Sequence, residues 1–374
     1  MGPQCPENSP LRPLLCSCQR HPYYNGRVKT WDVIIAGAGI IGISAALELR
    51  ERGAQVLVLD KAEPGREASS AAAGMLAAAD PETPLALRPL AVASARLFPD
   101  YVRKLVGASG IAVDFRRQGA IALLEGSSLP SEYRRLSSEE LSRIEPALQA
   151  GEHAPFFVQE DSVDPKLLMQ AALQAARTGG VEVRGHTSVQ ELHPQGAQVE
   201  VLTSAGSYAA SAVVNCQGAW SGAPVKPRKG QMLYLRPKQT GLLEHVVRAP
   251  EIYLVPRSSG KILAGATVED VGFDKDVQPE IIQELHSVAA RYLPELARAD
   301  VTESWAGLRP GSPDDLPLIG PTEVPGIFVA SGHFRNGILL APITAQIVAD
   351  LVTGKAMSTN ISAFSPERFA VTKA

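Results

Sequence analysis

Cysteine is scarce: four in 374 residues, with Cys5, Cys16 and Cys18 crowded near the start and Cys216 alone. That excludes a disulfide framework and fits a reducing compartment, so a cytoplasmic location is expected. Cys16-x-Cys18 with His21 lacks the usual ligand spacing and has no second half, so no metal site is expected. Positive charge is also in short supply. The 36 Lys and Arg stand against 39 Asp and Glu, a net of -3, with no basic run. Nucleic-acid binding wants a basic patch or stripe, so no such partner is expected. No stretch reaches the ~18 uninterrupted apolar residues of a membrane span. The longest candidate, 338–352, is interrupted by Pro342, Gln346 and Asp350. Leu14-Leu15 fall short of the apolar core, about 7–15 residues, of a signal peptide. There is no internal repeat and no low-complexity linker. Residues 1–30 are rich in Pro, Cys and Arg without apolar periodicity, and are expected to form a disordered extension.

What is present suits a globular chain of about two domains, with 45% apolar residues. Order is expected from Trp31. Residues 32–36 form a short apolar run ending at glycine, which reads as a buried parallel strand. Residues 40–52 read as a helix stopped by Gly53, and 56–59 as a second buried strand ending at Asp60. Strand, helix and strand in this order make a βαβ unit. Further helices are expected at 85–107, in the first half of 138–148, after the Asp164-Pro165 cap, at 279–293 and from 338. Further strands are expected in pieces of 111–125, at 181–184, 188–192, 197–202, 211–216, 230–235, 251–255 and 326–330.

Five motifs stand out. Gly37-Ala38-Gly39-Ile40-Ile41-Gly42 lies between a strand and a helix, and Asp60 ends the next strand. Gly37 allows the tight turn, Gly39 lets a pyrophosphate approach, and Gly42 lets helix and strand pack closely. The helix N-terminus favours phosphate, and Asp60 can accept from ribose hydroxyls. The pattern does not by itself choose between dinucleotides. The second motif is the small-residue run 66–76, where Ser69 and Ser70 can donate to phosphate. The third is 213–220, a buried strand running into Gly218, with Cys216 read as a small buried hydrophobe. The fourth is Gly307-Leu308-Arg309-Pro310, whose guanidinium suits a carboxylate. The fifth is 332–338, between a strand and the last long helix.

Together these segments resemble the D-amino-acid-oxidase-like FAD-dependent oxidoreductase superfamily, and within it the bacterial glycine oxidases of the ThiO type. The likeness runs from 31 to about 370 and is most specific in 68–76 and 332–342. It implies an α/β, two-domain flavoprotein. A discontinuous Rossmann-like FAD-binding domain would take 31–90, 155–222 and 310–370. A substrate domain with a large antiparallel sheet would take 91–154 and 223–309. It implies non-covalent FAD held by Gly37, Gly39, Ile40, Ile41 and Gly42 at the phosphate turn and by Asp60 and Lys61 at the ribose. Ala68, Ser69, Ala73, Gly74 and Met75 would line the pyrophosphate and ring, with Val189 at the adenine and Gly218 alongside. His333, Phe334, Arg335, Asn336, Gly337, Ile338 and Leu339 would wrap the flavin's pyrimidine side. Arg309 would hold the substrate carboxylate, Tyr253 would donate to it, and Arg335 would complete the catalytic site. Some relatives have a methionine at the place of Val268 and a histidine near Glu251, departures that bear on pocket size and polarity.

The activity implied is oxidative deamination of glycine and related small amino acids. Hydride passes from Cα to flavin, giving an imine and, with dioxygen, hydrogen peroxide. The imine would hydrolyse to glyoxylate and ammonia or feed thiazole synthesis for thiamine. Alternatives on the same scaffold are D-amino acid or sarcosine oxidation, transfer to another acceptor, or a flavin-binding protein without catalysis. The joint presence of Tyr253, Arg309 and Arg335 argues against the last. The resemblance also implies a homo-oligomer, a tetramer.

Overall fold

Two short apolar runs, 33–36 and 56–59, start the fold, and each is buried on both faces. Lys29–Ala36 and Val56–Leu59 pair in parallel, with Val33 opposite Val56 and Ala36 opposite Leu59. The helix Ile40–Glu51 links them. This computed structural model describes residues 29–124, 129–357 and 359–369. Cys5, Cys16, Cys18, His21 and the extension expected over 1–30 lie outside these residues, except for Lys29 and Thr30. Those two already belong to the strand Lys29–Ala36, ahead of the expected start at Trp31. Lys29 is tied down by Glu182 at 2.9 Å and lies 4.3 Å above the Trp31 ring.

Gly206–Asn215 flanks the first strand on its other side, again in parallel. Its C-terminal half accepts Ile327–Ser331 in parallel, and its N-terminal half accepts Gln198–Thr203 antiparallel. Glu182–Arg184, Val189–Gln195 and Leu318–Pro321 complete an eight-stranded sheet. Alternation then sorts the side chains, because successive residues of a strand face opposite ways. Val33, Ile35, Val56 and Val58 pack beneath the helices Ile40–Glu51, Arg88–Ser109, Pro165–Thr178 and Gly337–Thr353. Ile34, Ala36, Leu57 and Leu59 face the antiparallel strands instead. The stretch Phe334–Thr353 is long and apolar enough to cross a membrane by length and composition. Here it runs through the core, with Leu340, Ala341 and Ala349 fully covered.

A second eight-stranded sheet is ordered Asp300–Gly311, Lys226–Arg236, Ile262–Gly265, Tyr253–Pro256, Val246–Arg248, Ala120–Leu124, Ala154–Val158, Arg134–Arg135. Every pairing is antiparallel except that of Val246–Arg248 with Ala120–Leu124. The helix Pro279–Tyr292 packs on it through Ile282, Leu285 and Ala289. The architecture is the α/β arrangement with a second, large antiparallel sheet that the resemblance implies. Two details differ from the expected segments. Residues 155–158 pair inside the second sheet, and Pro310 and Gly311 complete its edge strand. The twelve residues Asp300–Gly311 were not expected as a strand, because Gly307, Pro310 and Gly311 weaken the pattern. Its edge position resolves this: a proline can sit there without breaking an inner ladder. A third sheet joins Met75–Leu76, Asp161–Val163 and Phe115–Arg116.

Candidate active site

The first strand ends in a turn that only glycine fits. Gly37 has φ +106°, and a Cβ there would lie 2.4 Å from the Cys216 carbonyl oxygen. At Gly42 a Cβ would lie 2.0 Å from the Gly37 carbonyl oxygen, so the helix rests directly on the strand end. Gly39 caps the helix without a side chain of its own. Ser69 Oγ accepts from the Ile40 amide at 2.9 Å, and the next amides keep the open end of a helix. Asp60 is aimed by the same turn: its carboxylate accepts from the Ala38 amide at 2.8 Å and the Ala62 amide at 3.0 Å.

This turn forms one end of a cavity of about 510 Å³ that runs between the two large sheets. The volume lies within the range of about 300–1,000 Å³ typical of small-molecule sites. All the residues expected at the cofactor line it except Gly42 and Leu339. Gly42 faces Gly37 and Ile35, as close helix–strand packing demands. Leu339 points into the core, and its carbonyl accepts from Ser94 at 2.6 Å. Ser70 is committed elsewhere too, its hydroxyl donating to the Gly65 carbonyl. Lys61 lines the cavity with its ammonium 3.5 Å from the Trp220 ring centre, and burial lowers its pKa. Cys216 is a buried thiol whose pKa burial pushes up to about 12, so it stays uncharged.

At the other end, Arg309 lies on the edge strand with its guanidinium pressed onto Gly230, where a Cβ would fall 2.2 Å from Nη1. Nη1 donates to the Thr267 carbonyl at 3.1 Å. Tyr253, half-buried, lines the cavity close to it. Burial raises the phenol pKa, opposed by Arg309, so the hydroxyl keeps its proton. Arg335 also lines the cavity but stands at the mouth, half exposed and paired with Glu82. The structure thus joins Arg309 to Tyr253 and gives Arg335 a carboxylate of the chain's own. His333 is buried, with Nε2 3.2 Å from Thr344 Oγ1; burial drives its pKa down to about 3, so the imidazole is neutral.

Sequence reasoning overlooked a polar cluster in the wall. Arg248 donates from Nη1 to Asp80 at 3.0 Å and from Nη2 to the Tyr133 hydroxyl at 2.6 Å, and pairs with Glu160 at 3.0 Å. Burial pushes Glu160 up to about 7, opposed by Arg248. The one local signal was an arginine ending the apolar strand Val246–Arg248.

The model of the family described as FAD dependent oxidoreductase matches residues 32–351. The chain is 36% identical over 361 residues to the bifunctional protein ThiO/ThiG of Synechocystis sp., covering 92% of this chain and 55% of that one. It therefore spans about half the length of such ThiO/ThiG proteins. It is 33% identical to the hydrogen cyanide synthase subunit HcnC of Pseudomonas aeruginosa, covering 91% and 97% of the two chains. The crystal structure of glycine oxidase from Geobacillus kaustophilus superimposes with a TM-score of 0.87 at 32% identity, covering 91% and 99% of the two chains.

Proposed function

The chain belongs to the FAD dependent oxidoreductase family, and from that premise we propose that it oxidatively deaminates glycine and related small amino acids. FAD-dependent amino acid oxidation is the activity of its glycine oxidase relatives. The observation that carries the narrower reading is that Arg309 and Tyr253 line the cavity side by side, at the end away from the Gly37 turn.

The donor set suits FAD. The helix start at Gly39 offers the amides beyond Ile40 to a diphosphate, and Asp60 retains lone pairs for ribose hydroxyls. Gln217 adds a buried side-chain oxygen in the wall that has no partner among the described residues. Bound FAD supplies the two-electron oxidant, and dioxygen takes the electrons on as hydrogen peroxide.

The chain's own residues bind and aim. Arg309 takes the α-carboxylate with its planar donors, and Tyr253 donates the second hydrogen bond. That fixes the direction of the Cα–H bond, and positioning of this kind can contribute about 7–11 kcal/mol. The substrate amine must be neutral for its lone pair to support hydride loss, and no protein base is obligatory. The helix Gly337–Thr353 opens on the cavity, where its N-terminus stabilises negative charge. Neutral His333 adds no charge there. The product imine hydrolyses to glyoxylate and ammonia, or feeds thiazole formation for thiamine. The likeness to ThiO/ThiG supports the latter.

The test is anaerobic addition of glycine, sarcosine or D-alanine to the purified yellow protein, followed by a peroxide assay in air. Glycine should bleach the flavin and yield peroxide. Bleaching by D-alanine alone would overturn the glycine reading.

A further inference from the structure

The floor of the substrate end is a row of residues in register across the second sheet. Ala122 pairs with Arg248, Arg248 with Tyr253, Tyr253 with Gly265, and Gly265 with Met232. Directly paired residues share a face, and all five line the cavity. Arg248 therefore stands one strand, about 4.8 Å, from Tyr253. Arg309, on the edge strand, lines the cavity close to the same tyrosine. Two guanidiniums thus serve one pocket, with the tyrosine between them.

Arg248 is built in as a binding group would be. Its side chain is 11% exposed, and its buried Nε has no partner among the described residues. A buried guanidinium needs a counter-charge. Glu160 meets this only in part, because burial holds its pKa near 7. The remaining partner, Asp80, is 30% exposed and comes from the loop between Leu76 and Arg88. The same loop sends Glu82 to Arg335. Both loop carboxylates that line the cavity are thus committed to its guanidiniums, and neither is left for a cationic substrate.

We propose that Arg248 is a second carboxylate-binding site, and that the chain accepts amino dicarboxylates whose distal carboxylate replaces Asp80. The α-carboxylate lies on Arg309, so the proposal rests on the reading of that residue given above. Exchange of one carboxylate for another keeps the buried guanidinium paired throughout, which is what makes the substitution feasible.

The test uses the FAD-bound protein and reads the perturbation of its flavin spectrum by acetate, malonate and succinate, none of which it oxidises. At least one dicarboxylate should bind about tenfold more tightly than acetate, or more. Arg248→Met should remove that advantage. Asp80→Asn should enlarge it, because it takes away the internal competitor. This second variant decides the matter if Arg248→Met loses FAD. Arg309→Ala should abolish the acetate response. If acetate perturbs the flavin through Arg309 but dicarboxylates gain nothing in wild type or Asp80→Asn, Arg248 is not a binding site. If no carboxylate perturbs the flavin in any form, the reading of Arg309 fails and this proposal with it.

Discussion

Arg309 is held in place before any substrate arrives, with Gly230 beneath it and the Thr267 carbonyl at Nη1. A fork so fixed loses little freedom on meeting a carboxylate. Hydrogen bonds to charged groups contribute about 1.5–3 kcal/mol. Arg309→Ala should therefore lower kcat/KM for glycine at least about tenfold while flavin content stays at the wild-type ratio. Arg309→Lys should recover only part, because an ammonium cannot present the same plane. Unchanged turnover in the alanine variant would move the carboxylate elsewhere, Arg335 being the next candidate. His333 makes a prediction of a different kind. Its pKa falls from 6.5 when exposed to about 3 in the fold. Between these values the unfolded chain binds a proton that the folded chain refuses. Stability should fall as pH drops through that window, by up to about 1.4 kcal/mol per pH unit from this group. Urea unfolding of His333→Gln should show a shallower acid limb than wild type. Identical limbs would mean the imidazole is not held neutral.

The turn between the first strand and its helix depends on two close approaches. Adding a methyl at Gly42 would place Cβ 2.0 Å from the Gly37 carbonyl oxygen, which the backbone itself would have to relieve. Gly42→Ala should lift the helix start off the strand, and the protein should purify with much less FAD. Gly39→Ala should leave that packing intact, since its nearest atom, Ser69 Oγ, is 3.1 Å away and on a side chain, and should lower FAD content only by crowding the diphosphate. The urea midpoint and the flavin-to-protein absorbance ratio of the two variants check this. Full flavin in Gly42→Ala would contradict the packing argument. The helix Ser138–Ile144 presents a simpler case: Ser137 and Glu140 form a reciprocal cap at its start. Ser137→Ala should cost about 1 kcal/mol of stability in urea unfolding and leave glycine turnover unaffected.

The cavity takes one wall from each large sheet, so a bound ligand ties the two together. Ligand that binds only the folded chain stabilises it by mass action, about 2.7 kcal/mol at a hundredfold excess over Kd. Stripping FAD should lower the Tm of the whole chain, and adding it back should restore a single transition. Acid precipitation should leave the yellow colour in the supernatant, as non-covalent binding requires. Colour retained in the pellet would point to a covalent link.

The Gly37 end of the cavity was legible because its parts are contiguous and each has a local signature. Apolar runs mark the buried strands, glycines mark the turn, and Asp60 follows directly on the second strand. The last helix was legible for the same reason, although its burial was not. The Arg309 end is assembled across the chain. Asp80 and Arg248 are 168 residues apart, and no local pattern says which carboxylate meets which guanidinium. Arg335 illustrates the point: its motif predicted a site arginine, but the loop bearing Glu82 determines its partner. The edge strand Asp300–Gly311 was hidden by its own glycines and proline, which are tolerated only because one side of it faces no further strand. Residue chemistry is a local property of the chain. Which charges neutralise one another depends on sheet register, and register is set only when both strands are folded.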